Sequence, residues 1–331
     1  MSSQSRPIWW MLVLGVLLVT VNLATGQTPS NSRLLVLLRD ASELAIVDPV
    51  AEKVLGRIPT VKDPHEVTAS ADGRLAFVAS PREGIAVIDL AAEKELRRLD
   101  IGPRSRPHDV RFAGGKLYFT VEGYKAIGRY DPPTDQIDWL LGIGQDTTHM
   151  LVLSKDLNTI FTVNRGSNSV TVIEDVSSGP PNWKLTSIPV NGEAPEGIDL
   201  SPDGREVWTA TRGDGGVSII DVATKKVTQR LNLKMKDANR LKFTPDGGRV
   251  LISDGEGSSL VVLDAVARKE IKRLNLAPNA VLVQPDGLRA FAALREGNRV
   301  AVVDLKTLKV TGYILTGPSS GPGCMFWLET E

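Results

Sequence analysis

The chain has 331 residues, 42% of them hydrophobic and 5% aromatic, with 39 basic side chains against 39 acidic ones. That length suits one or two globular domains or a single repeat fold. A formal charge of zero, with no basic stripe interleaved with aromatics, argues against a nucleic-acid surface, and a lone cysteine, Cys324, excludes a disulfide within the chain.

The first residues read as an address. Arg6 precedes an apolar run from Ile8 to Val21, and Ala24-Thr25-Gly26 supplies the small residues a signal peptidase inspects. The apolar run is shorter than the ~20 residues that span a bilayer. Residues 1–26 are therefore read as a signal peptide, 27–32 as a short linker and 33–331 as the folded domain. The expected location is periplasmic or extracellular, with no stable membrane span once the leader is removed.

From Arg33 the chain repeats with a period of about forty residues, the range of propellers and solenoids. The cleanest copy runs from Asp63 to Ser80, DPHEVTASADGRLAFVAS, with close relatives starting at Pro195, Ala238 and Pro278. Each copy is an extended run, a tight Asp-Gly turn and a second extended run, the strongest short-range hairpin pattern. A third run follows, such as IAVID or VSIID, and then a fourth in which charged and apolar residues alternate as on a solvent-facing strand.

Seven copies of each run can be counted. Inner runs begin at His65, His108, His149, Glu196, Asn239, Asn279 and Cys324. The sequence opens at Arg33 on a second run and closes after Cys324 on an inner one. The last strand is thus expected to complete the first blade and remove an open sheet edge. The predicted fold is all-β: a seven-bladed β-propeller of four-stranded blades.

The second-run endings FVAS, FTVN and WTAT, followed by IAVIDL, VTVIED and VSIIDV, resemble the YVTN family of bacterial propeller repeats. The resemblance covers about Arg33 to Leu328. It implies an exported seven-bladed propeller, kin to surface-layer propellers and to the haem-carrying propeller of nitrite reductases. It says little about reaction, since propellers host many activities.

The three histidines of the chain all occupy one repeat slot, the start of an inner strand in consecutive blades. Glu196, Asn239, Asn279 and Gly323 fill that slot elsewhere, so these positions should ring one mouth of the central channel. Counting across each hairpin places His65 opposite Ser80, His149 opposite Asn164, Glu196 opposite Thr211, Asn239 opposite Asp254 and His108 opposite Glu122. Glu122 is then expected to orient His108, while Glu66, next to His65, should face away from it. Arg165 and Arg212 follow second runs and should stand on the same face, ready for an anionic group.

Two chemistries suit such a mouth. His65, His108 and His149 with Glu196, or with Glu122 in its place, form a ligand set for a divalent transition metal such as zinc or iron. Alternatively, the histidines serve as acids, bases or hydrogen-bond donors around an organic ligand. The competing structural reading has them capping strands. Three of three in one slot favours the functional mouth. No phosphate loop or nucleophile elbow is present, and without CxxCH no covalent haem is attached. The sequence thus points to an exported module that binds a small molecule, a metal or a protein partner at this mouth. A propeller enzyme, a lactonase-like hydrolase or lyase, is the alternative, and a structural envelope or surface-layer component the third reading.

Overall fold

A computed structural model describes Met1 and residues 32–177 and 182–329. Apart from Met1, the leader read from residues 1–26 lies outside the described residues, as does all of the linker except Ser32. Among the described residues no helix is long and apolar enough to cross a membrane.

The chain forms seven four-stranded antiparallel sheets, each an up-and-down meander. Their inner strands contact one another in ring order and close the circle. Blade 1 is completed from the other end of the chain: Pro322–Leu328 pairs antiparallel with Arg33–Leu38, setting Arg33 against Leu328 and Val36 against Met325. The expected closure is therefore present, and it covers what would be an exposed edge in the first blade.

The core is divided among the seams. Each of the seven blade-to-blade interfaces has its own apolar cluster. The third residue of the second strand recurs as a large side chain filling a seam, among them Phe77, Phe161, Trp208 and Phe291, all at most 1% exposed. Outer strands alternate, as in Lys53–Pro59, where every other residue faces solvent. Aspartates at the ends of third strands close the next turn by accepting backbone N–H bonds, Asp48 from Val50 and Ala51 and Asp89 from Ala91 and Ala92. Asp131, at the same position, is held by Lys116 at 2.6 Å instead.

Inner strands face the channel with unpaired N–H groups, and the preceding blade supplies acceptors. Phe112 N donates to Thr68 Oγ1 at 3.3 Å, Leu151 N to Asp109 Oδ2 at 2.8 Å and Phe243 N to Asp199 Oδ2 at 2.9 Å. Glycine permits one close approach. A Cβ on Gly197 would lie 2.8 Å from both Asn239 O and Leu241 N in the next inner strand.

Candidate functional site

Five of the seven inner strands begin with a β-bulge, which displaces the residues that the sequence places in regular register. Asn164 pairs with Thr148 rather than His149, Thr211 with Pro195 rather than Glu196, and Asp254 with Ala238 rather than Asn239. In blade 3 the ladder pairs Val121 with Pro107, and Glu122 starts a short 3-10 turn. The extra residue in each bulge re-aims a side chain towards the channel, a common use of this irregularity.

The residue after the second strand is fixed by a recurring bond. The backbone N–H of Arg39, Glu122, Arg165 and Arg212 donates to a carbonyl two residues ahead of the inner-strand slot, at Gly321, Arg106, Thr147 and Ala194, over 2.9 to 3.1 Å. Two rings of side chains, one from each strand, thus share a face of the propeller and enclose a cavity of about 270 Å³.

His65, His108, His149 and Glu196 all line this cavity, and so do Asn239 and Asn279. Arg165 and Arg212 join them, together with Arg39, Arg240, Arg295 and Asp237, which sequence reading had not singled out. Asn164 and Asp254 do not line it. Asn164 is fully buried and donates to Ser169 and Thr171, while Asp254 caps the turn around it by accepting from Lys236 N, Asp237 N and Gly257 N. Glu122 stands behind the lining and grips a different histidine from the one expected. Its Oε1 lies 2.7 Å from His149 Nδ1, because the end of blade 3 abuts the inner strand of blade 4.

The histidine rings pack in a row, His65 edge-on to His108 and His108 tilted against His149. Ring centroids are 4.8 Å apart for His65 and His108 and 3.7 Å for His108 and His149. Their charges differ. His149 is buried, which alone would lower its pKa, but the hydrogen bond to Glu122 and the Glu196 carboxylate 3.3 Å from Nε2 outweigh burial and raise it. The two flanking carboxylates thus favour its imidazolium form. Burial would raise the pKa of Glu196, yet His149, Arg240 and Arg165 hold it far below the usual carboxylate range. For His108, burial and then the neighbouring His149 and His65 push the pKa well down, leaving a neutral ring. His65 is lowered by burial and then Arg39. Its Nδ1 meets the Asp63 carbonyl at 2.8 Å, and Arg39 donates to Nε2 at 3.0 Å.

Beside the mouth a buried ion pair crosses the channel. Glu66 does not face away as expected, since the regular ladder starts only at that residue. It reaches across to Arg240 of blade 6 and accepts from Cys324 Sγ at 2.6 Å. Burial raises the pKa of Cys324, so it stays a thiol.

The four-residue metal set is not gathered on one point. Among the described residues the compact group of ligand atoms is His108, Glu122 and His149, within 4.8 Å of one another, while both nitrogens of His65 are engaged. In the compact group Glu122 is committed to His149, and five arginines line the same cavity, which disfavours a cation. A macrocycle fits no better, since among the lining residues only Ala280, Gly323 and Cys324 are not strongly polar.

Unsatisfied polar atoms concentrate here. Of nine buried side-chain nitrogens and oxygens without a hydrogen-bond partner among the described residues, six belong to lining residues. They are Arg39 Nε, His108 Nδ1, His149 Nε2, Glu196 Oε2, Asp237 Oδ1 and Arg240 Nε. The Nε2 and the two carboxylate oxygens lie within ion-pair distance of opposite charges, but out of line for a hydrogen bond.

Fold and site together define a seven-bladed propeller with a charged mouth. The chain is a seven-bladed β-propeller whose repeats resemble the YVTN type. Its residues 30–138 match the Cytochrome D1 heme domain and residues 159–320 the Choice-of-anchor I domain. It is 27% identical to the YncE proteins of Salmonella typhi and Salmonella typhimurium over 166 residues, 48% of this chain and 46% of theirs. The chain spans about half the length of the curated relatives it matches.

Among solved structures, Kuenenia stuttgartiensis hydrazine synthase is similar, with a TM-score of 0.72, 19% identity and coverage of 84% of this chain and 93% of that one. The dihydro-heme d1 dehydrogenase NirN, solved in complex with DHE, gives 0.68 and 19% over 90% and 75%. A Bacteroides uniformis protein with a proposed 6-phosphogluconolactonase assignment gives 0.73 and 14% over 91% and 100%. At these identities the likeness concerns the fold alone.

Proposed function

We propose that this propeller binds a small hydrophilic anion at the mouth lined by His65, His108 and His149. The observation that carries this reading is the gathering around one cavity of three buried nitrogens without a hydrogen-bond partner, Arg39 Nε, His108 Nδ1 and Arg240 Nε, beside three buried atoms held by ion pairs. Partnerless buried polar atoms are rare in folded proteins unless a ligand or ordered water completes them. Donor supply supports an anion. Five arginines line the cavity, and although each is paired with a carboxylate, among them Asp40, Asp63 and Glu66 outside the lining, each keeps N–H donors to offer a ligand. The neutral His108, with Nδ1 unpartnered, favours one further reading. It is placed to take a proton from a bound ligand, as a hydrolase or lyase of this shape would require.

Thermal unfolding of the purified chain tests the binding reading. Sulfate, phosphate, citrate or succinate should raise the midpoint saturably, whereas zinc, iron(II) and copper(II) should not. Saturable stabilisation by a metal at stoichiometric ratio, with no response to any anion, would contradict it.

Export is part of the same proposal, and it rests on the leader-like residues 1–26. Protein recovered outside the cytoplasm should begin near Gln27. An intact Met1 on that protein would sink this part.

A further inference from the structure

Four of the five lining arginines occupy one repeat position, the residue that follows the second strand. Those second strands end at Leu38, Asn164, Thr211 and Leu294, and the next residues are Arg39, Arg165, Arg212 and Arg295. Pro81, Glu122 and Gly255 hold the position in blades 2, 3 and 6. Blades 7 and 1 are neighbours in the ring, and so are blades 4 and 5. The arginines therefore fall into two pairs on opposite sides of the mouth, Arg39 with Arg295 and Arg165 with Arg212.

Each guanidinium is steadied by a carboxylate. Arg39 meets Asp63 at 2.6 Å and Arg165 meets Glu196 at 3.1 Å, while Arg295 pairs with Asp40 and Arg212 with Asp237. One carboxylate engages at most two of the five N–H donors of an arginine, so each keeps donors for a ligand. The side chains are 22 to 36% exposed, reachable from the cavity but held in place. Between the pairs the lining changes character. His65 and His108, both with lowered pKa values, fill one arc, and Asn239 stands in the other beside two groups already ion-paired, Arg240 with Glu66 and Asp237 with Arg212.

We propose that the ligand of this mouth is a short molecule with an anionic group at each end, one held by Arg39 and Arg295 and the other by Arg165 and Arg212. This rests on the anion-binding reading above and adds a geometry to it. The middle of the ligand lies between the His65 and His108 rings and Asn239 with the ion-paired Arg240 and Asp237, a polar surround that suits a polar or hydroxylated carbon chain. At about 30 Å³ per water, the cavity of about 270 Å³ holds about nine waters, the size of a short α,ω-dicarboxylate.

Calorimetric titration of the purified chain with malonate, succinate, glutarate and adipate, beside butyrate and pentanoate, tests this. Affinity should peak at one diacid length. The best diacid should bind at least about tenfold more tightly than the monoacid of equal length, the yield of one more charge-assisted contact. Arg39→Gln and Arg165→Gln should each reduce the best diacid to the monoacid level, while monoacid binding persists at the other pole. Melting curves will show whether these variants fold, and the length profile of the unaltered chain needs no variant.

Equal affinity for diacids and monoacids, or a response to variants at one pole only, would overturn the two-ended geometry and leave the anion site standing. Failure of every acid to bind would overturn both.

Discussion

At the scale of single residues, three histidines that look alike in the sequence carry three different loads. His149 is clamped between Glu122 and Glu196, whose side chains are 7% and 5% exposed. Removing it strands buried carboxylates, so His149→Ala should cost about 3 kcal/mol of unfolding free energy at pH 6. The folded pKa of His149 is raised, so its stabilisation is fully present below the unfolded value of about 6.5 and is lost as pH rises through the folded value. The difference between wild type and His149→Ala should accordingly shrink towards alkaline pH. His108 has the opposite sign. Its folded pKa is lowered, so its contribution holds above about 6.5 and is lost as pH falls. His108→Gln should then be near neutral at pH 8 and relieve part of the acid sensitivity. Denaturant titrations across pH check both, and identical pH profiles for the two variants would contradict the assignment.

Much of this residue pattern was legible. The shared slot of His65, His108 and His149 located the mouth, and Arg39 and Arg295 stand in the same repeat position as Arg165 and Arg212, so a stricter alignment of the repeats finds them. The grip of Glu122 on His149 was not legible, because counting along a hairpin yields pairs within a blade and this contact crosses from blade 3 to blade 4.

At the scale of elements, the difference between expectation and structure is the bulge. Asp-Gly turns and alternating residues define each hairpin, but a uniform ladder count has no term for an inserted residue at the start of the inner strand. The bulge is sustained by neighbouring blades. Thr120 Oγ1 accepts from Asp109 N at 2.9 Å and donates to the carbonyl of His149 at 2.8 Å, tying the irregular starts of two inner strands together. Thr120→Val keeps the shape and leaves both groups unsatisfied. It should cost about 2 kcal/mol and weaken anion binding, since the backbone of His149 loses its anchor. An unchanged stability with unchanged binding would show that the bulge needs no such support.

At the scale of the whole molecule, a ring of blades with one apolar cluster per seam places stability in the seams and leaves the mouth to polar groups. The Arg240–Glu66 pair spans the channel between blades 6 and 2. With only three histidines in the chain, imidazole nitrogen NMR yields three resolvable sets of ring signals. Titration with succinate is the most direct test of where a ligand sits. The His108 and His65 signals should move together along one saturable curve, with His149 remaining doubly protonated throughout. Saturable binding of succinate that leaves all three rings unmoved would place the ligand elsewhere and contradict the assignment of this mouth.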